Sequence, residues 1–157
     1  MLEIHIEYHE DEITLSQNAY VERLLRRYDM NKCNSVSTPL TENIKLSKGS
    51  IEEQIENSSY YQSIVGSIMY AVVGTRFDLA FAITLLSQFS SCSNDQHLTA
   101  AKHVLRRLSE TRDFKLFYPK ERKLSLEEYS DASHASCPDT RRSYSGNVFR
   151  LERAIIT

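Results

Sequence analysis

Much that would mark a catalyst is missing from these 157 residues. The four glycines are scattered, so there is no glycine-rich loop to cradle a phosphate. Cysteines are few and odd in number: Cys33, Cys92 and Cys137 include no CxxC pair. That argues against a disulfide framework and a zinc knuckle, and for a reducing compartment. His5, His9, His97, His103 and His134 show no metal-ligand grouping, and all five read as structural. No Asp-Asp pair occurs, and no Ser-His-Asp arrangement stands out. Charge of one sign is lacking too. Nineteen Lys+Arg against 21 Asp+Glu leave −2, so attraction to nucleic acid must come from local patches. No apolar run approaches the ~20 residues that span a bilayer, and no membrane partner is expected. The longest, Ile64 to Gly74, reads as a buried helix. The opening Met-Leu-Glu-Ile-His-Ile-Glu has neither a basic n-region nor an apolar h-region. This predicts no signal peptide and an intracellular setting, cytoplasmic or nuclear.

What is present is patterned. Leu2, Ile4 and Ile6 alternate with Glu3, His5 and Glu7, and Ile13-Thr-Leu15 follows a polar break at His9–Glu12, which is the pattern of a β-hairpin. Ser16 is placed to cap a helix whose stripe is Tyr20, Val21, Leu24, Leu25 and Tyr28. Residues 31–57 lack periodicity and read as an extended connector that crosses another surface. Three helices are predicted next: about Ser59 to Val73, Asp78 to Ser90, and Asp95 to Glu110 with Asn94 or Asp95 as its cap. In the third, Leu98, Ala101, Val104, Leu105 and Leu108 share a face, opposite Lys102, Arg106, Arg107 and Glu110. After Asp113 the period becomes two. Phe114, Leu116 and Tyr118 alternate until Pro119 interrupts, and further strands are expected from Leu124 and from Tyr144. The change near residue 120 is the candidate domain boundary, and the class is α+β.

Several of these elements carry motifs. Residues 59–81 read SYYQSIVGSIMYAVVGTRFDLAF, and this resembles the YRSIVGSLMYL…GTRPDIAYAV signature of copia-type retrotransposon polyproteins. Leu15-Ser-Gln-Asn-Ala-Tyr-Val-Glu-Arg-Leu-Leu is similar to the LSQ..YI..LL element after the polymerase palm. Ser37-Thr-Pro-Leu40 resembles the family's TP turn. Ala100-Ala-Lys-His-Val-Leu-Arg-Arg-Leu108 with Thr111-Arg-Asp resembles AAKRVLRYLKGT.D. Residues 129–149 resemble YSDADWAGD..TRRSTSGYVF, the opening of the RNase H domain. The five stand in the family's order.

The resemblance implies an N-terminal β-hairpin and a helical thumb and connection, followed by an incomplete RNase H-like sheet. Its segments are 1–30 (end of the palm and thumb), 31–57 (connector), 58–120 (helical connection) and 121–157 (RNase H start). It implies a lineage in RNA-directed DNA synthesis with degradation of the RNA strand, acting on an RNA–DNA hybrid or template-primer. Mg²⁺ would serve the complete parent enzyme; none is expected in this stretch. The polymerase aspartate pair lies upstream in the family, and only Asp131 of the RNase H carboxylates matches. One carboxylate cannot hold two Mg²⁺ ions, so the chain is expected to be inactive alone. An unpaired sheet edge is expected to favour self-association. Departures from the pattern include Glu3, Phe77 for a proline, Ser133-His134 for an Asp-Trp pair, Ser136, Asn147 and Glu152-Arg153.

Two basic clusters are candidate nucleic-acid contacts. One is Arg23, Arg26 and Arg27 on the first helix, which looks thumb-like in the parent. The other is Lys102, Arg106 and Arg107, continued by Arg112, Lys115, Lys120, Arg122 and Lys123. The alternative for each is a solvated helix face. A non-catalytic nucleic-acid-binding module and a secreted effector stand as alternative functions. The second arises because Arg23-Leu-Leu-Arg26 matches the RxLR tetrapeptide of secreted oomycete effectors, a four-residue match within a helix.

Overall fold

The computed structural model describes residues 3–48, 55, 58–120, 125–133, 139, 141–151 and 154–156. In chain order its elements are β1 (His5–Tyr8), β2 (Glu12–Ser16), α1 (Asn18–Arg27), α2 (Ser58–Gly74), a 3-10 turn (Phe77–Leu79), α3 (Ala80–Ser87), α4 (Asp95–Glu110), β3 (Leu116–Pro119), β4 (Leu126–Ala132), β5 (Ser145–Leu151) and β6 (Ala154–Ile155). The class is α+β. The chain forms two compact units, a helical one comprising Gln17–Phe114 together with the N-terminal residues through Glu3, and a β unit comprising Ile4–Ser16 and the residues from Lys115 on.

The helical unit is built on apolar stripes that repeat every three or four residues. On α2 these are Tyr61, Ile64, Val65, Ile68, Ala71 and Val72, and on α4 Ala100, Ala101, Val104, Leu105 and Leu108, all buried. Leu98, expected on that α4 face, is only partly buried. Val21, Leu24 and Leu25 from α1 and Ala82, Ile83 and Leu86 from α3 complete one core. Each large side chain buried this way contributes roughly 1.5–3 kcal/mol relative to exposure. The Tyr61 hydroxyl stays inside this core because it donates to the Leu86 carbonyl at 2.6 Å, and burial pushes its pKa up.

Asn94 caps α4. Its side-chain oxygen accepts from the His97 N–H at 3.1 Å, while His97 Nδ1 accepts from the Asn94 N–H at 3.0 Å. A histidine thus stands where a capping box usually places Glu or Gln. The expected Ser16 cap is corrected. Ser16 ends β2, paired with His5, and the N-cap position falls on Gln17, with no side-chain cap bond. The strand ladder holds Ser16 one residue too early to reach the helix's free N–H groups.

The described part of the connector, residues 31–48, has neither helix nor strand. Leu46 is buried in the helical core, and Leu40 and Ile44 pack against it. Residues 49–54, 56 and 57 of the expected connector lie outside the described residues.

In the β unit, β3 joins the N-terminal hairpin in the order β1-β2-β3, all antiparallel. The register Ile6↔Leu15↔Leu116 and Tyr8↔Ile13↔Tyr118 places these six side chains on one face. Glu7, Thr14 and Lys115 share the other. Glu7 accepts from Thr14 at 3.0 Å and from Lys115 at 2.6 Å, and these bonds hold its carboxyl below the usual carboxylate range.

The second sheet has the order β4-β5-β6. The sequence reading anticipated two strands there. The third arises because β5 folds back at once, so that Arg150 pairs with Ile155 and Leu151 with Ala154. Leu124, where β4 was expected to start, lies outside the described residues. Tyr118 Oη donates to the Ile155 carbonyl at 3.0 Å.

Candidate functional site

Three of the motifs meet inside the helical unit. Arg76 is 2% exposed. Its guanidinium donates to both Asp78 carboxylate oxygens, at 2.9 and 2.8 Å, and to the Thr111 carbonyl at 3.2 Å. A buried guanidinium persists only when its donors are matched in this way. The ring of Phe114 lies 5.4 Å away. Beside it, Thr75 Oγ1 donates to buried Gln17 Oε1 at 3.0 Å. Gly74 must be glycine for that, since a Cβ there would sit 2.3 Å from Gln17 Oε1. Asn18 Nδ2 donates to Asp113 at 3.4 Å. Gln17-Asn18, Gly74–Asp78 and Thr111–Asp113 therefore form one clamp that ties the start of α1, the end of α2 and the end of α4. Phe77, which replaces a proline, is the first residue of the 3-10 turn. That position needs no backbone N–H, so proline and phenylalanine both fit. Reading the sequence missed the buried roles of Gln17, Thr75 and Thr111. The available signal was polar residues recurring inside apolar motifs.

The two basic clusters differ in what holds them. On α4, Arg106 Nε donates to the Asn34 carbonyl at 2.6 Å, and the His103 ring bonds the Thr38 carbonyl at 3.0 Å. Lys102 lies over the Tyr60 ring at 6.0 Å and Arg107 over the Phe114 ring at 5.6 Å. These side chains hold the connector and neighbouring rings. On α1, Arg23, Arg26 and Arg27 are exposed and, with Tyr20, Leu24 and Ser67, line an open groove of about 490 Å³. Arg26 pairs with Glu22 at 3.1 Å, and Arg23 pairs with Glu3. Arg27 lies over the Tyr28 ring at 5.5 Å. Tyr20 donates to the Ser67 carbonyl at 2.8 Å, and burial raises its pKa. Leu24 and Leu25, the middle of the RxLR-like tetrapeptide, are core residues.

Asp131 is exposed on β4, opposite Gly146. Among the described residues no three His, Cys, Asp or Glu side chains are grouped to hold a metal ion. Next to it, Ser133 closes the β4–β5 pair: its Oγ accepts from the Tyr144 N–H at 3.0 Å. His134, Ser136, Arg122 and Lys123 lie outside the described residues. No helix among the described residues is long and apolar enough to cross a membrane.

Known proteins give this geometry its context. The chain is 36% identical over 148 residues to the retrovirus-related Pol polyprotein from transposon TNT 1-94 of Nicotiana tabacum, covering 91% of this chain and 11% of that polyprotein. It is 38% identical over 137 residues to the corresponding polyprotein from transposon RE2 of Arabidopsis thaliana, covering 87% and 9%. Secreted RxLR effector protein 161 of Plasmopara viticola is 42% identical over 97 residues, covering 62% of this chain and 68% of that protein. No family model and no solved structure matches. The chain spans about a tenth of the polyproteins it matches, and it does so along most of its own length. It therefore belongs to the retrovirus-related Pol polyproteins of transposons, as a segment of one.

Proposed function

We propose that this segment is a copia-type thumb and connection followed by the first strands of an RNase H-like domain. It serves RNA-directed DNA synthesis in its parent by scaffolding and by contacting an RNA–DNA hybrid or template-primer, and it does no chemistry alone. The observation that carries this reading is the Arg76 clamp. The motif residues that resemble the family converge on a buried structural lock, with no reacting group among them. The donor set at Asp131 does not fit the two Mg²⁺ ions of the complete enzyme, because no group of three His, Cys, Asp or Glu side chains able to hold a metal ion includes it among the described residues. The test is direct assay of the purified chain for polymerase and RNase H turnover with Mg²⁺ and Mn²⁺. Background rates are expected. Turnover abolished by Asp131→Asn would overturn the reading.

A second reading follows from the similarity to a secreted RxLR effector protein. It is weaker, because Leu24 and Leu25 are 3% and 1% exposed and the tetrapeptide is locked in α1. An export receptor would have to unfold that helix to read it. Secretion of a tagged protein that is lost on Arg23→Ala would favour the effector.

A further inference from the structure

We infer that the groove beside α1 is a contact for the phosphodiester backbone of a nucleic acid, led by Arg27 and held back by Glu22 and Glu3; this rests on the nucleic-acid reading above. Two observations select α1 over α4, and a third ranks the arginines within α1. The first is what each cation already does. Arg106 donates to a connector carbonyl at 2.6 Å, so a phosphate would have to displace a bond that pins residues 31–48. Arg23, Arg26 and Arg27 are exposed; Arg27 lies against the Tyr28 ring, and the other two pair with carboxylates. The second is concavity: the three arginines stand along an open groove, where converging donors focus positive potential. The third is their partners. Arg23 and Arg26 are neutralised by Glu3 and Glu22, whereas Arg27 makes no ion pair among the described residues and rests on the Tyr28 ring. Arg27 is the cation ready for an incoming anion, and the other two become available as their carboxylates let go.

The same groove predicts what is not read. Its aromatic wall, Tyr20, packs against Tyr70 with ring centroids 4.8 Å apart, has Arg23 6.0 Å from its ring, and commits its hydroxyl to Ser67. The ring is thus already engaged by its own neighbours rather than presented to a base. The groove therefore positions a strand through its phosphates and does not read sequence. The intramolecular ion pairs add a consequence of their own. Glu22 competes with phosphate for Arg26, so removing it should strengthen binding.

The experiment is fluorescence anisotropy of a labelled RNA–DNA hybrid with the full 157-residue chain across a salt series. Arg23→Gln/Arg26→Gln/Arg27→Gln is expected to make the log K against log[salt] slope shallower by about two, a loss of roughly tenfold or more at low salt. Lys102→Gln/Arg107→Gln should change the slope less. Glu22→Gln should tighten binding by about two- to threefold at low salt and by less at high salt. Circular dichroism confirms that each variant keeps its helices. If the wild-type chain binds hybrid and the α1 triple variant binds equally well, the groove assignment fails and the nucleic-acid reading stands. If the wild-type chain shows no salt-dependent binding at low salt, both fail. A slope more sensitive to α4 than to α1, or binding weakened by Glu22→Gln, also overturns the groove.

Discussion

In the helical unit Tyr61, Ile64, Ile68 and Leu105 are 0% exposed, whereas on β4 and β5 no side chain is buried and Leu126, Tyr129 and Val148 are 65%, 53% and 41% exposed. Both regions carry regular secondary structure, so secondary structure is not what separates them. The helices find apolar partners within one unit, on faces repeating every 3.6 residues. The β4–β5 pair has a ladder and cross-strand contacts, with no buried side chain on either strand. Glu127 faces Arg150 at 3.3 Å, and Arg150 lies 5.8 Å from the Tyr129 ring. Such pairs contribute roughly 0.2–1 kcal/mol each. Burial, rather than pairing, sets where the stability of this chain resides.

The comparison is broken or sharpened by the following outcomes. Leu105→Ala is expected to destabilise the helical unit by about 3 kcal/mol in urea titrations followed at 222 nm, and Val148→Ala by under about 0.5 kcal/mol. Equal effects would erase the contrast. Arg76→Met leaves Thr111 without its donor and Asp78 without its counterion, at a cost of about 3 kcal/mol, the lower end for a buried pair because Asp78 is 37% exposed. Gly74→Ala drives Gln17 from its Thr75 partner and is expected to cost about 1–2 kcal/mol; Gln17→Ala in the same chain should recover part of it. Asn94→Ala removes one arm of the capping box for about 1 kcal/mol.

The smallest effect separates the units by pH. The Lys115 and Thr14 hydrogen bonds hold the Glu7 carboxyl below its ordinary pKa. Glu7 therefore stabilises the β1–β2–β3 sheet fully above the usual glutamate range, about pH 4.3, and loses that contribution as pH falls through its lower folded value. Amide exchange on β1 should speed up in acid before exchange on α2 does, and Glu7→Gln should remove the dependence.

The sequence made the helices legible in detail. Asp95–Glu110 was readable, with its cap narrowed to Asn94 or Asp95, because its stripe and its start signal are both local; the structure selects Asn94. The α+β class and the hairpin were legible for the same reason. What was not legible depends on distant partners. Nothing near Leu116 says that it will pair with Leu15, and nothing near Ala154 announces a third strand against Leu151. The basic clusters were visible as composition. That Arg106 holds Asn34 while Arg27 holds only a ring could be learned only from the fold.

The pairing of β2 with β3 has one further consequence. These neighbouring strands flank the whole of Gln17–Phe114, so the helical unit is an excursion between two rungs of one ladder. For an unfolded excursion, closing that ladder would carry the entropy of a very long loop. Once the helices fold, the Asn18 side chain reaches Asp113, Nδ2 to Oδ1 at 3.4 Å, so the two chain ends that lead into the strands are kept near each other. Sheet formation then becomes almost a local event, and helix-first folding is the economical order. Length changes in the connector would leave the ladder's closure nearly untouched. Even a doubled flexible loop adds only about 0.6 kcal/mol, and here the clamp, rather than the loop, brings the ends together.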